Sequence, residues 1–167
     1  MLGLGVVGGG VAKALQEKGK AIAKQVGSPL VLRGILVRDP QKKRSVAVEP
    51  SLLTTEAQKI LSDPEIDIII EVLGGESPAL EYIREALLKG KHVVTANKEV
   101  MAKHGPQLLN LAAEHGVSLR YEASVGGGIP LISPLRHDLI ANEALAIYAI
   151  INGTTNYILS RMADEGA

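Results

Sequence analysis

The chain has no cysteine, no phenylalanine and no tryptophan, and four tyrosines are the only aromatic residues among its 167. Without cysteine there is no disulfide, no thiolate nucleophile and no cysteine-ligated zinc site. That absence fits a reducing compartment, and a cytoplasmic location is the expectation. Tyr82, Tyr121, Tyr148 and Tyr157 are too few to build the stacking platforms that bind single-stranded nucleic acid. An excess of either charge is also missing: 18 Lys and Arg balance 18 Asp and Glu, which argues against a nucleic-acid partner. The longest apolar runs, such as ALAIYAII at 144–151, fall well short of the ~20 residues a membrane helix needs. No charged-then-apolar start reads as a signal peptide.

What is present suits a globular domain that binds a small molecule. Hydrophobic residues make up 46% and charged residues 22%, ordinary values for a chain with a real core. The apolar pattern alternates between helix and strand. Residues 11–25 read as a helix with Val11, Leu15 and Ile22 on one face. PLVLRGILV (29–37) reads as a strand, and EIDIIIEVLGG (65–75) as a strand buried on both faces and stopped by glycines. SPALEYIREALLKGK (77–91) reads as a helix with Ser77 as N-cap and Pro78 at its first position. Leu80, Ile83 and Leu87 share its inner face, Glu85 and Lys89 can pair, and Gly90 ends it. HVVTA (92–96) is a strand, Pro106 to His115 a helix, and VSLRYEA (117–123) a strand.

Strands alternating with helices predict parallel βαβ units. The fold class is therefore α/β, a Rossmann-like doubly wound parallel sheet, over residues 1–124. The pattern changes after Ser124. VGGGIPLISPLRHDLIA (125–141) reads as a glycine turn with a helix from Pro130. NEALAIYAIINGTTN (142–156) reads as a strand and polar turn, followed by a helix to the end. Residues 125–167 thus depart from the regular alternation.

GLGVVGGG (3–10) carries Gly3, Gly5 and Gly8 in G-x-G-x-x-G spacing, with Gly10 beyond. In a dinucleotide fingerprint the first glycine makes a tight turn. The second admits a pyrophosphate to the backbone, and the third lets the helix pack on the sheet. The N-terminus of that helix offers free N–H groups to phosphate. A helix follows, but only Met1 and Leu2 precede Gly3, so the first, central strand is expected to be cut short and to leave a gap in mid-sheet. GILVRDPQKKR (34–44) ends a strand and offers two selectors. Asp39 can accept from a ribose 2′-hydroxyl, whereas Arg38, with Lys42, Lys43 and Arg44 nearby, can hold a 2′-phosphate. The basic cluster favours NADP, with NAD the alternative; the same charges also suit a solvated turn. EVLGG (71–75) ends at the sheet's carboxyl edge, where ligands of open α/β sheets bind; an ordinary turn is the alternative.

Other chemistries find no support. His92, His104, His115 and His137 lack ligand spacing for zinc. No serine sits in G-x-S-x-G, and GLGVVGGG lacks the Gly-Lys-Ser/Thr ending of a P-loop. TANKEV (95–100) places Lys98 just past a strand, in a turn before a helix. There an ammonium can stabilise charge on a substrate oxygen or simply meet solvent.

Taken together, GLGVVGGGV, VRDPQKKR, EVLGG, VVTANK, YEASVGGGIP and NGTTNYIL occur in an order that resembles homoserine dehydrogenases. The resemblance implies NAD(P)-dependent interconversion of L-homoserine and L-aspartate 4-semialdehyde, in threonine and methionine biosynthesis. It implies a cofactor domain over residues 1–124, then an α+β substrate and dimerisation domain of which 125–167 are the start, and assembly as a homodimer or homotetramer. By motif, cofactor contacts would come from Gly3, Gly5, Val6, Val7, Gly8, Arg38, Leu73, Gly74 and Lys98, with Lys98 also catalytic. Glu122, Gly153, Thr154 and Thr155 would meet the substrate. Glu122 with Val125, Gly127 and Ile129 would hold a monovalent cation such as sodium. Members of this family continue with an acidic substrate-binding segment and an Asp…Lys pair, so the sequence is expected to be part of a longer protein. A non-catalytic NAD(P)-sensing module is the alternative at this stage.

Overall fold

The computed structural model describes residues 1–150 and 152–166. Ile151 of the expected strand at 142–156 and Ala167 of the expected last helix lie outside them. Among the described residues are five parallel strands and five α-helices. The strands are β1 (Ile35–Leu36), β2 (Leu53–Thr54), β3 (Ile68–Glu71), β4 (His92–Thr95) and β5 (Leu119–Arg120). The helices are α1 (Val6–Val26), α2 (Gln58–Leu61), α3 (Ala79–Leu88), α4 (Lys98–Glu114) and α5 (Gly153–Glu165).

β1 pairs with β2, and β3, β4 and β5 pair in that order, all parallel. The expected mid-sheet gap is filled. Leu2 bridges Leu36 on one side and Glu71 on the other, both in parallel sense. Its N–H donates to the Ile70 carbonyl at 2.7 Å, and its own carbonyl accepts from Val72 at 2.9 Å. On the other edge Leu36 N–H donates to Met1 O at 2.9 Å, and Gly3 N–H to Leu36 O at 3.0 Å. Three residues therefore satisfy both neighbours, because a parallel ladder needs only alternate N–H and C=O groups on each side. The resulting order, β2-β1-(Met1–Gly3)-β3-β4-β5, is that of a doubly wound sheet.

Alternation along the strands splits the core into two layers. Met1, Leu4, Ile35 and Val37 gather with Ala12 of α1 on one face. Leu2, Leu36, Ile69 and Val93 gather with Ile60, Ile83, Leu87, Val100 and Leu108 of α2, α3 and α4 on the other. Burial of these side chains is the main stabilising term, at roughly 1.5–3 kcal/mol each.

Several expectations change. β3 is not sealed on both faces: Ile68 is 42% exposed. The strand expected at 29–37 contracts to Ile35–Leu36, since only that stretch has Met1–Gly3 and β2 beside it. Ser77 does not cap α3; Pro78 holds that position, and Ser77 donates instead to Glu81 Oε1 at 3.2 Å. The Glu85–Lys89 pair forms at 2.5 Å, and Gly90 terminates the helix with φ +71°. α4 starts eight residues before the expected Pro106 and runs through it. Pro106 and Ala102 are both exposed, so the carbonyl that proline leaves unpaired faces water. The helix expected after Pro130 is short: residues 132–138 are helical, wound wide over Pro134–Asp138. Residues 142–150 form no strand, because nothing in the described chain pairs with them. Every described residue from Ala141 to Gly166 is exposed, including Leu145 and Tyr148. Among the described residues no helix is long and apolar enough to cross a membrane.

Candidate cofactor cleft

The carboxyl ends of Met1–Gly3, β1, β2 and β3 converge on a cleft of about 770 Å³, within the usual range for small-molecule sites. Its floor is the glycine turn. Gly3 has φ +107°, and a Cβ there would lie 2.9 Å from the Val72 carbonyl oxygen, so only glycine fits. Gly8 sits in the first turn of α1 with its α-carbon against the Gly3 carbonyl and Val72, which brings α1 close onto the sheet. A Cβ on Gly5 would meet nothing within 4 Å. The three glycines thus divide the work: Gly3 turns, Gly8 packs and Gly5 leaves open space. α1 has no side-chain cap and no acidic residue in its first turn, so its leading N–H groups face the cleft unopposed. Val6, at the mouth, is 94% exposed.

Beyond β1 a basic loop forms one wall. Asp39 Oδ1 accepts from the Gln41 N–H at 2.8 Å, closing a tight local turn. Arg44 is spent on that loop. Its guanidinium donates to the carbonyls of Asp39 at 2.5 Å, Lys42 at 2.7 Å and Pro40 at 3.3 Å. Arg38 lines the cleft beside Lys42 and Lys43 and makes no hydrogen bond or ion pair among the described residues. It is therefore the guanidinium left free to meet a ligand.

The opposite wall is the turn after β3. Leu73 and Gly74 line the cleft, and Gly74 and Gly75 take φ values of +76° and +74°. Glu71, fully buried, braces this turn: its Oε1 accepts from Leu73 N–H at 2.8 Å and its Oε2 from the Thr95 hydroxyl at 2.5 Å. Thr95 Oγ accepts in turn from Asn97 N–H at 3.0 Å. Asn97 is the N-cap of α4, its Oδ1 accepting from Val100 N–H at 3.2 Å while its amide donates to Gly75 O at 2.7 Å. Lys98 is the first residue of α4, exposed at the carboxyl edge.

The chain has clear relatives among known proteins. The family model described as the NAD binding domain of homoserine dehydrogenase matches residues 3–122. A second, described as homoserine dehydrogenase, matches 130–167. The chain belongs to the homoserine dehydrogenase family. The homoserine dehydrogenase of Bacillus subtilis is 44% identical over 165 residues, 99% of this chain and 38% of that protein. The crystal structure of a homoserine dehydrogenase from Thiobacillus denitrificans superposes with a TM-score of 0.88 at 44% identity, covering 99% of this chain and 38% of that one. A hyperthermophilic archaeal homoserine dehydrogenase in complex with NADPH superposes with a TM-score of 0.69 at 25% identity, over 84% of this chain and 48% of its own. The chain thus spans little more than a third of the length of the curated relatives it matches.

Of the residues singled out from sequence, Gly3, Gly5, Val6, Arg38, Leu73 and Gly74 line the cleft together. Gly8 lies behind it, and Val7 and Lys98 lie outside its lining. Lys98 opens a helix rather than sitting in a turn before one. Glu122 stands apart, in a short turn after β5. Its carboxylate accepts from three successive amides, Leu131 at 2.5 Å, Ile132 at 2.8 Å and Ser133 at 2.7 Å. The Leu131 N–H, with those of Ile132 and Ser133, holds its pKa below the ordinary carboxylate value. Val125, Gly127 and Ile129 lie in the loop so anchored, turned by Gly126 (φ +71°) and Gly127 (φ +61°). Gly153, Thr154 and Thr155 form the exposed first turn of α5, capped by Asn152 Oδ1 on Thr155 N–H at 2.9 Å. The sequence reading missed Glu71, Thr95 and Asn97. An Asn two residues after Thr at a strand end, directly before a charged residue, was the available N-cap signal.

Proposed function

We propose that this chain is the cofactor-binding part of an NAD(P)-dependent oxidoreductase that interconverts L-homoserine and L-aspartate 4-semialdehyde. The observation that carries this reading is the convergence of the open Gly5 backbone, the free N-terminus of α1 and the unpaired Arg38 on one cleft. Such a site suits a dinucleotide diphosphate flanked by a 2′-phosphate, which favours NADP over NAD. Residues 1–124 form the cofactor domain, and 125–167 begin the substrate and dimerisation domain of a cytoplasmic homodimer or homotetramer in amino-acid biosynthesis. The family-model matches meet between 122 and 130, which supports that division.

The residues take distinct roles. Gly3, Gly5, Val6, Val7 and Gly8 hold the diphosphate at the start of α1, and Arg38 holds the 2′-phosphate. Leu73 and Gly74 line the path toward β4. The nicotinamide, when bound, supplies hydride exchange with the carbon that carries the substrate oxygen. Lys98 contacts the cofactor and meets that oxygen: its ammonium stabilises the negative charge that builds there and hands it a proton. Glu122, Gly153, Thr154 and Thr155 contribute to the substrate site. The carbonyls of Val125, Gly127 and Ile129 suit a hard monovalent cation such as sodium, with the Glu122 carboxylate bracing their loop.

Calorimetric titration of the chain with NADPH and NADH tests the reading. NADPH binds more tightly, and Arg38→Ala weakens NADPH about tenfold or more while leaving NADH within about twofold, the range for a lost charge-assisted phosphate contact. Absence of binding by either cofactor refutes it.

A further inference from the structure

Glu71 is not explained by packing. It is fully buried in a sheet of aliphatic side chains, and among the described residues its two oxygens meet only the Leu73 N–H and the Thr95 hydroxyl. An apolar residue of similar size would fill the space without desolvating a carboxyl group. What Glu71 does instead is close a circuit. From Leu73 the contacts run through Glu71 to Thr95, from Thr95 to the Asn97 N–H, and from the Asn97 side chain to the Gly75 carbonyl. The circuit ties the turn after β3 to the first residues of α4. One side of it carries Leu73 and Gly74 on the cleft wall, and the other carries Lys98, the residue after Asn97.

We infer that Glu71, Thr95 and Asn97 are positioning residues that fix Lys98 and the Leu73–Gly75 turn relative to one another at the nicotinamide end of the cleft. The inference rests on the cofactor reading proposed above. Its direction follows from the sheet order. Arg38 at the end of β1 marks the adenosine side, and the diphosphate lies on α1. β3 and β4 stand on the other side of Gly3, so the remaining half of a dinucleotide must run over Leu73–Gly75 toward Thr95 and Lys98. None of the three residues has to touch the ligand. They act through the backbone they hold, as supporting hydrogen bonds do around other preorganised sites.

The test separates the two halves of the ligand. Affinities of this chain for NADPH and for adenosine 2′,5′-bisphosphate, which lacks the nicotinamide half, are measured on Glu71→Gln, Thr95→Val and Thr95→Ser. Glu71→Gln keeps the volume, but its amide can accept at only one of the two links and presents a donor at the other. Thr95→Val removes the hydroxyl, and Thr95→Ser retains it. Glu71→Gln and Thr95→Val are expected to weaken NADPH about five- to tenfold, the size of one net hydrogen bond. Both should leave adenosine 2′,5′-bisphosphate within about twofold, and Thr95→Ser should match the parent with both ligands. Equal losses for the two ligands, or an unchanged NADPH affinity in a folded Thr95→Val protein, overturn the inference. If Glu71→Gln does not fold, the Thr95 pair decides alone. A parent chain that binds adenosine 2′,5′-bisphosphate and NADPH equally well places no nicotinamide contact here and also overturns it. A parent chain that binds neither overturns the cofactor reading first.

Discussion

Alanine at each of three glycines in the first ten residues should give three different outcomes. At Gly10 a Cβ meets nothing within 4 Å, and the residue is exposed inside α1. Gly10→Ala therefore only improves helix propensity, worth about 0.8–1 kcal/mol. In a chain of this size that raises Tm by roughly 2–4 °C. At Gly8 the same methyl collides with the Gly3 carbonyl oxygen and comes within 3.2 Å of Val72 Cγ2. The obstacle is backbone, so α1 or the glycine turn must move. Overpacking of this kind costs about 1–3 kcal/mol, from which the propensity gain of up to ~1 kcal/mol is subtracted. The added methyl lies 2.4 Å from a backbone oxygen, which puts the cost at the upper end, about 3 kcal/mol, so a net loss of about 2 kcal/mol lowers Tm by roughly 4–8 °C, and cofactor affinity falls with it because the turn is displaced. At Gly5 the methyl enters open space, so the fold tolerates it, but it occupies the volume assigned to the diphosphate. Gly5→Ala should therefore change Tm by less than about 2 °C while NADPH affinity drops at least about tenfold. Thermal unfolding with and without NADPH reads all three, since a ligand confined to the native state raises Tm. A Gly8→Ala protein as stable as the parent would refute the packing argument. A Gly5→Ala protein that binds NADPH normally would refute the diphosphate placement.

Three further outcomes follow from the geometry. In a longer version of the protein that turns over substrate, Lys98→Ala should lower kcat by about 10²–10⁴ with cofactor affinity little changed; an unchanged kcat removes Lys98 from the chemistry. Asn97→Ala should cost about 1 kcal/mol from the lost cap, read as a Tm fall of roughly 2–4 °C; no change would mean that the α4 cap is not sustained in solution. Because the amides of 131–133 hold the Glu122 pKa below its ordinary value, the anchored loop is fully formed above that value. It loosens only as pH falls through the lower, folded one. Amide hydrogen exchange at Leu131, Ile132 and Ser133 should therefore stay protected to a lower pH than an ordinary carboxylate would allow, and Glu122→Gln should remove that acid resistance.

The sheet, its parallel sense and the helix–strand alternation were readable because each element carries its own period and punctuation. GLGVVGGG announced a turn and a helix, the Ile run at 68–70 a strand, and Gly90 a helix end. What failed depended on distant partners. The filling of the central position by Met1–Gly3 is invisible in a sequence, since two residues show no periodicity; hydrogen bonds from Leu36, Ile70 and Val72 create it. The start of α4 was misplaced because Pro106 resembles a helix opening, whereas its lost hydrogen bond falls on the solvent side. Residues 142–150 have strand-like composition, yet a strand exists only beside another. At the site, the glycines and Arg38 announced themselves by spacing. Arg44 looked equivalent to Arg38 until its three carbonyl contacts showed it committed to its own loop. Glu71 read as one more strand residue, because nothing local marks a buried carboxyl that links two turns.

The stitch made by Leu2 has a thermodynamic consequence. The backbone ladder that joins β1–β2 to β3–β4–β5 passes through Met1–Gly3. Arg38 follows β1 and Leu73 follows β3, on opposite sides of that segment. A molecule touching both sides recognises only the assembled sheet, so its affinity and the stability of that sheet are linked.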